Sequence, residues 1–146
     1  MIKIFNDINE DVFQIRREVF IEEQGITEED EFEGSEEKFI HFCLYDNNDI
    51  TGYIRVYVEN RELHIGRVAV VLTYRGRGLG YSLMNVAEEF GLQNNCYSCL
   101  LNSQIQAKGF YKRLGYSEVG EVFLEAGIDH IKMVKHLKSI NEITIM

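Results

Sequence analysis

The sequence predicts an α/β fold: a mixed, mostly antiparallel sheet of about six to seven strands with three to four helices, in the order β-α-βββ-α-β-α-ββ. Three observations predict it. Three strand patterns follow one another between residues 39 and 71, separated by very short polar turns, which join antiparallel neighbours. Beyond residue 71 the chain reads helix, strand, helix, and a strand-helix-strand crossover needs one parallel join. The apolar spacing changes at that switch from alternation to a helical stripe.

Taken in order, Ile2 to Phe5 reads as a first strand, and Asn6 or Asp7 is suited to cap the helix that follows. Ile8, Val12, Ile15 and Val19 are spaced 4, 3 and 4 apart and form one apolar stripe, extended by Phe20 and Ile21 and closed by Gly25. The stretch TEEDEFEGSEEK, residues 27 to 38, carries seven acids against one lysine and reads as an exposed loop with at most one helical turn. Phe39 to Tyr45, Ile50 to Val58 and Leu63 to Val71 are the three strands of the meander, turned at residues 46 to 49 and at Asn60-Arg61. Gly78 to Asn94 is a helix with Leu79, Leu83, Val86 and Phe90 on one face. Cys96 to Leu101 reads as a buried strand, parallel to the one from Leu63. Gln104 to Leu114 reads as a helix closed by Gly115. Tyr116 to Leu124 and His130 to Leu137 are the last strands, turned at Ala126-Gly127. The tail from Lys138 is weakly patterned.

The totals narrow the function. A chain of 146 residues is expected to form one domain, residues 1 to 146, with a core of its own. A net charge of −9 argues against a nucleic-acid partner gripped by a basic face. No apolar run is long enough to span a membrane. The three cysteines, Cys43, Cys96 and Cys99, are an odd count without a secretory leader, so a cytoplasmic setting with reduced thiols is expected. Cys96-Tyr-Ser-Cys99 and His41-x-Cys43 look like halves of a metal site, but residues three apart on a strand face opposite ways, and no metal is expected.

The chemistry-bearing stretch is VVLTYRGRGLGYSLM, residues 70 to 84. It puts three glycines and two arginines into the six positions Arg75 to Gly80, between a β-branched run and a helix. Glycine at that density suits a main chain that comes very close to something. Backbone amides at a helix start, the helix dipole and two guanidiniums together make an anion site, most naturally for a diphosphate. Two common phosphate loops do not fit. The nucleotide-hydrolase loop ends in Gly-Lys-Ser/Thr, and here Gly80 is followed by Tyr81-Ser82. The dinucleotide fingerprint spaces its glycines G-x-G-x-x-G, and here they run G-x-G-x-G with no acidic residue about 20 positions on.

The spacing R-x-x-G-x-G, with a strand before it and a helix after it, resembles the acyl-CoA loop of the GNAT N-acetyltransferase superfamily. The resemblance covers about residues 1 to 137. It includes Val70 five positions before Arg75, and the block from Gly109 to Tyr116, which is similar to the family's F-Y-x-x-x-G-F. The stretches RREVFIEEQ (16 to 24), GRVAV (66 to 70) and GIDHIKM (127 to 133) resemble the small ElaA-like branch.

The resemblance implies acetyl-CoA as acyl donor. Its diphosphate would lie on the loop Arg75, Gly76, Arg77, Gly78, Leu79, Gly80 and Tyr81, and its pantetheine arm on Val68, Ala69 and Val70, paired like an added strand. Gln104, Phe110 and Tyr111 would border the cofactor. Gln104 stands where many relatives carry asparagine, and Leu72 where many carry proline. The Val70 amide would stabilise the developing oxyanion, and Tyr111 would act on the leaving thiolate as general acid.

An acceptor amine near pKa 10.4 must lose a proton first, at a cost of roughly 4.6 kcal/mol at pH 7. Glu22, Glu23, His41 and His130 are candidates to help, with Glu23 and His41 favoured. The acceptor is expected to be a small-molecule or peptide amine, drawn by the acidic stretch if that stretch is more than a solvated loop. The oligomeric state stays open, a homodimer included. A non-catalytic CoA-binding module and an acyltransferase using a longer acyl donor remain the alternatives.

Overall fold

Among the described residues the chain forms seven strands and four α-helices: β1 (Ile2–Phe5), α1 (Glu10–Arg16), α2 (Glu28–Glu31), β2 (Ile40–Asp46), β3 (Asp49–Glu59), β4 (Glu62–Val70), α3 (Leu79–Gln93), β5 (Ser98–Gln104), α4 (Lys108–Arg113), β6 (Ser117–Glu125) and β7 (Ile128–His136). The computed structural model describes residues 1–32, 34 and 36–137; the weakly patterned tail lies outside them. The sheet order is β1-β2-β3-β4-β5-β7-β6. Its pairings are antiparallel at β1–β2, β2–β3, β5–β7 and β6–β7. The expected parallel join is β4–β5, in register from Glu62 with Ser98 to Ile65 with Leu101. β4 continues five residues past that register, and Arg67 within the extension has a left-handed φ of 53°.

The turns follow from residue chemistry. Asn60 and Arg61 both have positive φ, as do Ala126 and Gly127, so each pair makes the mirror-image two-residue turn that matches strand twist. Some boundaries differ from those the sequence predicts. The cap of α1 is Asn9, not Asn6 or Asp7: its Oδ1 accepts from the Val12 amide at 2.9 Å, while the two earlier residues lead out of β1. The helix after α1 widens into a π-helical segment, Arg17–Glu23, before Gly25 ends it at φ 75°. Gln104 belongs to the end of β5, and a short 3-10 turn (Ile105–Ala107) precedes α4, so that helix is shorter than its pattern. Cys96 precedes β5.

The chain groups into two compact units, Met1–Tyr57 with Gly66–Ala87, and Val58–Ile65 with the residues from Glu88 on. The first unit packs the predicted stripe: Val12, Ile15, Val19 and Phe20 lie buried with Tyr45, Tyr53 and Ala69. In the second, Gly91 of α3 sits so close to the sheet that a Cβ there would come within 3.2 Å of both Leu63 and Leu137 side chains. Glu88 accepts from Tyr116 Oη at 2.8 Å and from Lys135 Nζ at 2.7 Å. Cys43, Cys96 and Cys99 are unpaired and buried. Among the described residues no helix is long and apolar enough to cross a membrane.

Candidate functional site

The glycine-rich stretch forms the strand-to-helix turn its sequence predicts. β4 ends at Val70, a single 3-10 turn (Leu72–Tyr74) follows, and the chain then bends through Gly76 at φ 81° and Gly78 at φ 78° into α3. Those values favour glycine because a Cβ would strain the backbone. A Cβ at either position would nonetheless meet nothing within 4 Å, so both face open space. α3 starts at Leu79, and the first amides of an α-helix find no acceptor within the helix itself. Open space, amides and the positive end of a 15-residue helix therefore coincide. The residues present fit the diphosphate of a coenzyme.

The arginines of the loop are oriented by protein partners. Arg75 donates from Nε to the Val70 carbonyl at 2.9 Å, closing the turn onto the end of β4. Its two terminal nitrogens form a bidentate pair with Glu23 at 2.7 Å each. Arg77 lies over the Tyr74 ring, 4.9 Å from its centroid. Of the pantetheine candidates, Ala69 is buried while Val68 and Val70 are half-buried.

The two favoured bases are both held in other work. The Arg75 hydrogen bonds keep Glu23 below the usual carboxylate range, which weakens it as a proton acceptor. His41 of β2 is fully buried, and burial lowers its pKa from 6.5 to about 4. Its Nδ1 faces the Tyr53 hydroxyl in a short contact. Burial keeps that phenol protonated, so one of the two groups donates to the other, and the imidazole tautomer decides which. Glu22 is exposed. In the second unit His130 is buried against Phe123, with Nδ1 2.7 Å from the Ile128 carbonyl.

His41 gives a pH prediction. Its folded-state pKa lies below the unfolded value, so the stability it contributes is complete above pH 6.5 and is lost as pH falls from 6.5 to about 4. The difference corresponds to roughly 3 kcal/mol. Unfolding free energy measured by denaturant across that range should decline with acid, and His41→Gln should flatten the slope.

Tyr111 lies in α4 of the second unit, buried, with edge-to-face contacts to Phe110 at 5.0 Å and Tyr116 at 6.0 Å. Burial pushes its hydroxyl up to about 12. Gln104, at the end of β5, is bonded through its side-chain carbonyl to Gln106.

The sequence reading missed a buried ionic cluster in the first unit, and the acidic stretch proves to be part of it. That stretch is not simply a solvated loop: Thr27 caps α2 and turns Glu31 inward to full burial. Arg16, also fully buried, donates from Nε to Glu31 at 2.7 Å and from Nη1 to Glu36 at 3.0 Å. Arg55 donates from Nη1 to both Glu36 oxygens, at 2.9 and 2.7 Å. Arg67 Nε lies 2.8 Å from Glu31 Oε1, off the line of a hydrogen bond. Burial raises Glu36, but Arg16 and Arg55 outweigh it and hold the carboxyl below its ordinary value. Aromatic rings line the cluster, Phe32 at 4.6 Å from Arg16 and Phe39 at 3.8 Å from Arg55. Arg55 and Arg67 each interrupt an otherwise apolar strand (Ile54-Arg55-Val56, Gly66-Arg67-Val68), and that interruption was the signal available.

Comparison with known proteins bears on the whole chain. Residues 8–137 match the sequence profile of the Acetyltransferase (GNAT) domain family. The chain is 35% identical over 134 residues to YyaT of Bacillus subtilis, an uncharacterized protein, covering 90% of each. It is 33% identical over 126 residues to the uncharacterized N-acetyltransferase YjcF of the same organism, covering 86% of this chain and 90% of that one. The crystal structure of Escherichia coli ElaA superposes with a TM-score of 0.77 at 25% identity, covering 92% of this chain and 99% of that one.

Proposed function

The chain belongs to the GNAT acetyltransferase family and is an acyl-CoA-dependent N-acyltransferase; from that premise we propose that it transfers the acetyl group of acetyl-CoA directly to a primary amine, with no covalent acyl-enzyme. The observation that carries the proposal is the turn at Gly76 and Gly78, left-handed, open and followed at once by the amides that begin α3.

The diphosphate sits on the loop from Arg75 to Tyr81, with Arg77 close by. The pantetheine arm runs along Val68, Ala69 and Val70, where β4 extends beyond its register with β5. The amine nitrogen attacks the thioester carbonyl carbon. The Val70 amide steadies the negative oxygen, the C–S bond breaks as the C–N bond is completed, and the sulfur leaves as thiolate. The ammonium proton passes to Glu23 once Arg75 turns from it to the diphosphate, because losing those hydrogen bonds removes what depresses that carboxylate. His41, fully buried and with its pKa lowered to about 4, is the weaker candidate for that task.

Tyr111 acts on the thiolate. A hydroxyl near 12 is a poor full donor to a thiolate near 8.5, so it serves by hydrogen bonding and the final proton comes from solvent. Tyr111→Phe is therefore expected to lower kcat about ten- to a hundredfold, the worth of one hydrogen bond to a charged group, with little change in acetyl-CoA affinity. Steady-state thiol release together with calorimetric binding separates the two effects, and unchanged turnover refutes the role. Acetyl-CoA binding with no turnover on any amine would favour a regulatory module instead, and faster transfer from long-chain donors would replace acetyl as the group moved.

A further inference from the structure

We propose that the buried arginine cluster of the first unit is the acceptor-recognition site, and that the acceptor is an amine carrying a carboxylate. The inference rests on the transferase reading above and names its substrate class.

The first argument is charge. Among the described residues, the ion pairs of Arg16, Arg55 and Arg67 run to two carboxylates, Glu31 and Glu36. Three guanidiniums against two carboxylates leave one positive charge in excess, since arginine does not give up its proton. Arg16 and Glu31 are fully buried and Arg55 nearly so. An uncompensated charge in such a place is costly, and an anion from outside removes the cost.

The second argument is hydrogen bonding. Arg55 Nε and His41 Nε2 are buried and have no partner. The two residues face each other directly across β2 and β3, so their side chains share one face of the sheet. Arg55 Nε is an N–H donor, and His41 Nε2 is one in the tautomer whose Nδ1 accepts from Tyr53. Donors without acceptors beside an excess positive charge ask for an anion. An excess of one matches a carboxylate better than a doubly charged phosphate.

The third argument is access and position. Arg67 has a side chain 23% exposed, so the cluster opens to solvent on that side. Its left-handed φ of 53° is a strained backbone for arginine, retained where the side chain must be aimed. Arg67 stands three residues before Val70 on the same strand, about 10 Å along it. A small amino acid and the reach of the arginine together span that distance. Glu31 and Glu36 of the acidic stretch therefore hold the arginines, and the acceptor is recognised here by its own negative end.

The test uses matched pairs differing only in the carboxylate: glycine against methylamine, β-alanine against ethylamine, 4-aminobutyrate against propylamine, with aminomethylphosphonate as the phosphate arm. Binding of acetyl-CoA is measured first on the same sample. At least one carboxylate-bearing amine should show kcat/KM at least about tenfold above its partner, carried in KM, and should exceed the phosphonate. Arg67→Gln should collapse that ratio toward one, and Arg67→Lys should restore part of it. If acetyl-CoA does not bind, the transferase reading itself falls. If it binds normally but the members of each pair react alike, the phosphonate is preferred, or no carboxylate-bearing amine is turned over, the acceptor class is wrong and the transferase reading is untouched.

Discussion

Replacing Arg16 by methionine should destabilise the protein by about 3–5 kcal/mol, the cost of stranding a charge that was paired inside. Glu31 has no exposed surface, and its Oε2 is held by Arg16 Nε at 2.7 Å. The Glu31 carbonyl accepts a further bond from Arg16 Nη2 at 2.8 Å. Removing the guanidinium therefore leaves Oε2 of a buried carboxylate without its donor, with Arg67 still beside Oε1, and also frees the carbonyl at the end of α2. For a chain of this length the loss corresponds to a fall in Tm on the order of 10 °C or more. The double replacement Arg16→Met with Glu31→Leu should recover much of it, because an apolar pair of similar volume incurs no desolvation penalty. Differential scanning calorimetry of the three proteins decides the matter. An unchanged Tm in Arg16→Met would show that the pair does not hold the segment.

Gly78→Glu should abolish measurable acyl-CoA binding, a loss on the order of a hundredfold or more. Two effects add. At φ 78° any side chain strains the backbone by about 1–3 kcal/mol. The open space before the α3 amides would also receive a carboxylate where the diphosphate belongs, and like charges at contact distance repel. Gly78→Ala carries only the first effect and should weaken binding without ending it. Calorimetric titration with acetyl-CoA ranks the two, and equal affinity in wild type and Gly78→Glu would remove the loop from the site.

The two halves of this account were unequally legible in the sequence. The strands, α3 and the glycine turn announce themselves because each depends on local chemistry. Alternation in Ile54-Val56-Val58, the stripe of Leu79, Leu83, Val86 and Phe90, and glycines at Gly76 and Gly78 all report backbone preferences within a few residues. The cap lies two or three residues later than expected because Asn6, Asp7 and Asn9 are equally good cappers, and only the path out of β1 selects among them.

The ionic cluster was hidden for a different reason. Its members come from α1, α2, the segment after α2, β3 and β4, and their pairing is fixed only when the sheet forms. Seven acids in twelve residues look like a solvated loop until Arg16, fifteen positions from Glu31, is seen to claim one of them. The engagement of Glu23 by Arg75, 52 positions away, was likewise invisible to local pattern, and it changes what each residue is free to do.

In the proposed complex, main-chain amides at the start of α3 hold the diphosphate of coenzyme A. Amide chemical shifts of the labelled protein, titrated with coenzyme A and in parallel with pantetheine, which lacks the diphosphate, test it most directly. Coenzyme A should move the amides from Arg75 to Tyr81 far more than pantetheine does, while both should move those of Val68 to Val70. Saturable binding of coenzyme A that leaves the Leu79, Gly80 and Tyr81 amides unshifted would contradict it.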